Sequence, residues 1–202
     1  MVPYSMSSGG RAAARRMLVA AAIVVSIVAP LAVVRPEAAT DPTETTTVRE
    51  DRGLYIVSAT FQVPQTVPAV LAVLTDYEQI PRFMPDVKTS IVRERAPGRV
   101  VVEQEAVARM MMFSKRVHLL LDVRISADTV HFRDSSGRSF SHYEGAWRLT
   151  QRDDHTLVTY ELRARPSFEV PGFLLTRLLK RDAGRMIERL RTEMAAQAHT
   201  GE

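Results

Sequence analysis

Few residues of this chain could do chemistry, and their spacing limits what they could do. Asp182 falls one helical turn from Leu178 and from Met186, inside an otherwise apolar stripe. A carboxylate placed there needs a partner, because an unpaired buried charge is costly. It suits either the polar head of a bound ligand and general-acid work, or a structural pair with one of the neighbouring arginines. His142 and Glu144 share one strand face and could move a proton together; the plainer reading is a solvated pair. His118, His131, His142, His155 and His199 include no pair at HExxH spacing, so no metal site is expected. There is no GxSxG serine. The chain has 0 cysteines, which excludes disulfides, thiolate metal sites and cysteine nucleophiles. The residues thus assign no catalytic group, and no cofactor is expected.

The apolar candidates are richer. Tyr77, Phe83, Met84, Met112, Phe113 and Trp147 could wall a pocket for an apolar ligand, as could Tyr160, Phe168, Phe173, Leu174 and Leu178. Aromatic and methionine side chains supply adaptable apolar lining, although any one of them serves a plain core equally well. Met110-Met111-Met112-Phe113 falls at a turn between strands, where three adjacent methionines cannot all face one core. That run reads as a pliable gate or membrane-touching tip, or else as an ordinary apolar hairpin.

The elements that must position these residues follow from periodicity. Leu54 to Val63 is β-prone and stops at Pro64. Val67, Val70, Leu71 and Leu74 have helical spacing, with Pro68 in the first turn. Ile80 to Pro85 reads as a short helical turn between two prolines. Strands are expected over 87–95, 100–109, 113–125, 129–134, 139–151 and 156–165. In Phe113 to Ile125, Val117, Leu119, Leu121 and Val123 share one face while Arg116, His118, Asp122 and Arg124 share the other. A long amphipathic helix closes the chain over 173–198, with Leu175, Leu178, Leu179, Ala183, Met186, Leu190 and Met194 on its apolar side. Arg177, Arg181, Arg185, Arg189 and Arg191 give that helix a basic outer face, suited to anionic headgroups or to solvated pairing with Glu188 and Glu193.

A long antiparallel sheet with one apolar face must cover it, and the terminal helix is the only large element available. The fold class expected is therefore α+β, with a curved antiparallel sheet of about seven strands round the C-terminal helix. Such a grip leaves an internal pocket between sheet and helix as the default site.

The net charge of +4 points toward a polyanionic partner only until its distribution is examined. Residues 1–39 carry Arg11, Arg15 and Arg16 ahead of an uncharged apolar run from Met17 to Val34, the pattern of a signal peptide or N-terminal membrane anchor. This leader holds four basic residues and one acidic, leaving 23 against 22 in the remainder. A nucleic-acid partner is not expected. Export to the periplasm or the outer face of the membrane is. Residues 40–52, polar and Thr-rich, read as a linker, and 53–198 as the domain.

Four segments then resemble, in order, the START-like (SRPBCC) superfamily, and within it the polyketide cyclase/dehydrase group with the coenzyme Q-binding START-domain proteins. They are Asp76-Tyr77-Glu78-Gln79-Ile80-Pro81-Arg82-Phe83-Met84-Pro85, Phe113-Ser114-Lys115-Arg116-Val117, Glu144-Gly145-Ala146-Trp147-Arg148-Leu149 with Thr159-Tyr160-Glu161-Leu162, and Val170-Pro171-Gly172-Phe173-Leu174. The resemblance covers roughly Leu54 to Met194. It implies a helix-grip fold enclosing a cavity for lipids, sterols, polyketides or quinones, and no catalytic residue of the cyclases carries over. The function expected is binding or carriage of a hydrophobic small molecule, with membrane-surface contact as a further partner. The alternatives are a polyketide cyclase or dehydratase using the same cavity, and an envelope interaction protein without ligand.

Overall fold

The computed structural model describes residues 44–110 and 113–200. These form β1 (Thr45–Asp51), β2 (Leu54–Val63), α1 (Val67–Thr75), a 3₁₀ turn (Tyr77–Gln79) and α2 (Ile80–Phe83). Then come β3 (Val87–Ala96), β4 (Arg99–Met110), β5 (Phe113–Ile125), β6 (Thr129–Asp134), β7 (Phe140–Gln151), β8 (Thr156–Pro166) and α3 (Gly172–Thr200). The strands make one antiparallel sheet in the order β1-β2-β8-β7-β6-β5-β4-β3. The sheet curves round α3 in the expected helix grip.

It has eight strands rather than seven. The additional strand is β1, in the segment expected to be linker. Its residues Thr45, Thr46 and Thr47 are polar yet β-branched, so they fit a pleated, half-solvated edge without any apolar alternation to announce it. Arg52 and Gly53 both take positive φ (49° and 80°), the two-residue turn that matches strand twist in a hairpin. Val48 lies against Val57 in the ladder, and Glu44 just ahead of β1 accepts from Arg191 of α3 at 2.6 Å.

The sequence pattern explains the rest. In β2 every second residue is buried (Tyr55, Val57, Ala59, Phe61, Val63), and β8 answers with Thr156, Val158, Tyr160, Leu162 and Ala164. Their antiparallel pairing, such as Phe61 with Val158, brings together strands about 100 residues apart in the chain. The segment from α1 to α2 carries the chain from β2 across to β3 at the opposite edge. On α3 the buried line runs through Leu175, Leu178, Ala183, Ile187, Leu190 and Met194. Ile187, 1% exposed, was absent from the expected stripe. Its burial moves the stripe's centre and turns Met186 to one side, where it faces a cavity.

The outer face of the sheet is a lattice of charges. Across β5, β6, β7 and β8, Asp122 faces Arg133, Arg133 faces Glu144, and Glu144 faces Arg163. Alternating signs on neighbouring strands stabilise the pairing modestly.

Candidate functional site: a cavity under the C-terminal helix

The apolar interior is split. One cluster joins β2 and β8 to α1 and the C-terminal half of α3, through Phe61, Val158, Val70, Ile187 and Met194. A second lies on β4 and β5 beneath Tyr77, with Val100, Val102, Leu119 and Val123. Phe132, Tyr143 and Trp147 touch both clusters. Between the clusters the sheet and α3 do not meet, and a cavity of about 280 Å³ remains.

Its floor is aromatic. Trp147 and Tyr160 are cross-strand partners with ring centroids 4.4 Å apart. Phe132 lies 6.3 Å from Tyr160 and 6.0 Å from Tyr143. Phe132 can occupy this place because its ladder partner is Gly145, over which its ring packs. Leu121, Val123 and Val130 continue the wall, and Val73, Ile80, Phe83 and Met84 close it from the α1–α2 side. Met186 and Leu190 cover it from α3.

Of the residues expected at a site, the cavity brings together Tyr77, Phe83, Met84, Trp147, Tyr160 and Asp182. Phe168 and Leu178 instead border a smaller, apolar void of about 80 Å³ beneath the start of α3, which Asp182 also touches. Leu174 is half-buried and lines neither space. Phe173 is a correction: it is 75% exposed. It stands two positions from the buried Leu175, which places it on the opposite side of the helix. Met111, Met112 and the side chains of Met110 and Phe113 lie outside the described residues, and with them the methionine run as a gate or tip.

Phe132, Tyr143 and Gln104 line the cavity without having been expected there, and Arg185 and Arg189, expected on the outer face of α3, border it. A signal for Tyr143 existed: it lies four residues from Trp147 on a strand, so period-two alternation puts both on one face. The same alternation turns His142 and Glu144 to the outer face, where they sit 3.3 Å apart and away from the cavity. Among the described residues no three His, Asp or Glu side chains converge as metal ligands.

Polar groups fall into two sets. Inside, burial pushes the phenols of Tyr77 and Tyr143 up to about 12, and raises Tyr160 well above its ordinary value, with Tyr143 adding to the effect. All three are neutral hydrogen-bonding groups at physiological pH and poor bases. Tyr77 is 5% exposed and its hydroxyl has no hydrogen-bond partner among the described residues. Gln104 donates from Nε2 to Ser90 Oγ at 3.1 Å. Replacing Tyr77 with phenylalanine is expected to raise the stability of the ligand-free protein by about 1 kcal/mol, since it removes an unpaired buried polar group. Urea denaturation of delipidated protein measures this, and a loss of stability would show that the hydroxyl is satisfied.

At the rim lie Asp86, Asp182, Arg185 and Arg189. Arg109 pairs with Asp86 Oδ1, and Arg189 lies 3.7 Å from Asp86 Oδ2. Asp182 does take an arginine partner: Arg181 donates to its Oδ1 from Nε at 3.0 Å and Nη2 at 2.9 Å. Its side chain is nevertheless 41% exposed, so it is a rim group and not the buried charge its stripe position suggested. The arginines of α3 also choose other partners than Glu188 and Glu193: Arg181 pairs with Asp182, Arg189 with Asp86 and Arg191 with Glu44.

An antiparallel sheet gripping one long helix over an apolar cavity has many solved counterparts. The chain superposes on a START superfamily protein from Mycobacterium smegmatis with a TM-score of 0.60 at 17% identity, covering 70% of this chain and 98% of that one. The Zhui aromatase/cyclase from Streptomyces sp. R1128 gives 0.60 at 14% identity, covering 72% and 96%. A STAR-related lipid transfer protein from Xanthomonas axonopodis gives 0.56 at 15% identity, covering 76% and 99%. At these identities the likeness establishes the fold. A comparison with curated protein sequences gives no match. The profile of one family matches residues 63–191, from the end of β2 to the last third of α3. The chain belongs to that family, described as polyketide cyclase / dehydrase and lipid transport, and has its START-like fold.

Proposed function

We propose that the domain binds and carries a hydrophobic small molecule, a lipid or an isoprenoid quinone, in the cavity between sheet and α3, and that it does so outside the cytoplasm. The observation that carries this reading is the cavity's lining: aromatic and aliphatic side chains make most of its walls, and its charged groups, Asp86, Asp182, Arg185 and Arg189, stand at the rim. Apolar surface favours apolar cargo, and the phenols supply neutral hydrogen bonds to a carbonyl or hydroxyl. Export rests on the basic, then apolar, leader of residues 1–39. Entry past Phe83 and Met84 would bring the mouth against a membrane surface.

The chain has one tryptophan, and it stands in the cavity wall. Titration with a quinone or lipid is therefore expected to quench or shift Trp147 emission saturably. Organic extracts of protein purified from its native envelope should contain the cargo by mass spectrometry. If neither a bound lipid nor a saturable Trp147 response is found, the reading fails.

A second reading, a cyclase or dehydratase acting on a polyketide-like substrate, draws on one feature. Tyr143 and Tyr160 line the cavity as buried phenols that stay protonated, able to donate to ketone oxygens. Turnover of a poly-β-ketone substrate, lost in a Tyr143→Phe variant that still binds ligand, would favour it over carriage.

A further inference from the structure

The charges at the cavity mouth do not balance. The lining itself holds two aspartates, Asp86 and Asp182, and two arginines, Arg185 and Arg189, but two further arginines from outside it, Arg109 and Arg181, already engage the aspartates. Asp86 is engaged by Arg109, leaving Arg189 only its longer 3.7 Å contact. Asp182 is engaged by Arg181. Arg185 borders the cavity, is exposed, and makes no ion pair or hydrogen bond with a described residue. Arg181, Arg185 and Arg189 recur at four-residue spacing, so they form one column on α3. Like charges at that spacing repel, and an anion set between them would relieve the repulsion. Beside the column Met186 and Leu190 turn into the cavity, which places the positive edge directly against the apolar interior.

The size of the interior adds a second restriction. At about 280 Å³ it sits just under the roughly 300–1,000 Å³ usual for small-molecule sites. One chain or one ring system suits it better than two acyl chains.

From this basic column, with Arg185 unpaired among the described residues, beside a small apolar cavity, we infer that the ligand is a single-chain amphipathic anion. Its tail lies on Phe132, Trp147 and Tyr160, and its carboxylate or phosphate head is held by Arg185 and Arg189. Guanidinium forks suit either head, because both present paired oxygens. The inference rests on the reading of the cavity as a ligand site and narrows the ligand's class.

The test titrates dodecanoic acid, dodecyl phosphate and dodecanol into delipidated protein while following Trp147 emission. At least one anion should bind about 10-fold more tightly than the alcohol, the range of a hydrogen bond to a charged group, and which anion does so identifies the head. The advantage should shrink with added salt. An Arg185→Gln/Arg189→Gln variant should bind the anions only as well as it binds the alcohol, whereas Arg185→Lys/Arg189→Lys should keep most of the preference. Glutamine and lysine match arginine in helix propensity, so unchanged urea midpoints are expected and are measured alongside. Equal binding of all three compounds by the wild-type protein, or a preference that survives the double glutamine variant, overturns the head-group assignment and leaves the cavity reading standing. Absence of binding by all three overturns both. Vesicles of phosphatidylcholine with and without phosphatidylglycerol supply the last arm. If the glutamine variant loses only vesicle binding and keeps its preference for the anions, the column is a membrane-contact surface and the inference fails.

Discussion

Replacing Gly145 with alanine is expected to destabilise the domain by about 3 kcal/mol, at the upper end of what overpacking costs. A Cβ at this position would lie 2.5 Å from Phe132 Cζ and would also run into the carbonyl oxygen of Glu161 on β8. The ring has some freedom to tilt. The carbonyl belongs to the strand paired with β7, and it cannot retreat without opening that ladder. For a domain of this size the loss corresponds to a fall in Tm of roughly 6–12 °C. Thermal and urea denaturation measure it. A Phe132→Leu/Gly145→Ala double variant separates the two obstacles: because the backbone oxygen is the harder one, trimming the ring should restore little. Full recovery in the double variant would assign the whole requirement to Phe132. The glycine is not needed for an unusual φ, since its backbone is ordinary strand. It is needed for space, and that space lets Phe132 reach the middle of the cavity floor.

The largest expected effect on binding comes from filling the cavity. Leu121 faces it from β5 and is 8% exposed. In Leu121→Trp the larger ring has room only in the space now open between the two core clusters. Ligand affinity is expected to fall by at least ~10-fold, because the lost volume is contact surface for an apolar cargo. Stability should change by no more than about 1–3 kcal/mol, the ordinary cost of an enlarged core side chain. Calorimetric titration and lipid recovered by extraction are the measurements, with Trp147 emission set aside because the variant carries a second indole. Unchanged affinity in a folded variant would place the ligand elsewhere.

Leu121 and Trp147 show where the sequence was legible. The inward alternation of β5 put Leu121 on the apolar side, and the alternation of β7 put Trp147 there with it. Both follow from period-two geometry, which is local. The apolar stripe of α3 was equally readable, although a stripe drawn through Met186 instead of Ile187 missed its centre by one position. The edge strand β1 was not readable. Its threonines are polar on both faces, and the β2 partner, the packing of Val48 on the core and the Arg191–Glu44 pair show what holds it. Gly145 gave no reason of its own either. It matters because the register of β6 and β8 places Phe132 and Glu161 beside it.

The candidate site divides in the same way. The sequence by itself determined that Tyr77, Phe83, Met84, Trp147 and Tyr160 would belong to an apolar interior, because period and residue type fix which way a side chain faces. Whether such a residue lines a cavity or fills a core depends on how far the sheet curves from the helix, a property of all eight strands together. Tertiary structure alone decided that Phe168 and Leu178 border a separate void. It also decided the pairing of Arg109 with Asp86, 23 residues apart in the chain, and of Arg181 with Asp182 beside it. An ion pair needs two charges within a few ångströms, and only the folded grip sets those distances. By engaging both aspartates at the mouth, it leaves Arg185 without a carboxylate partner among the described residues.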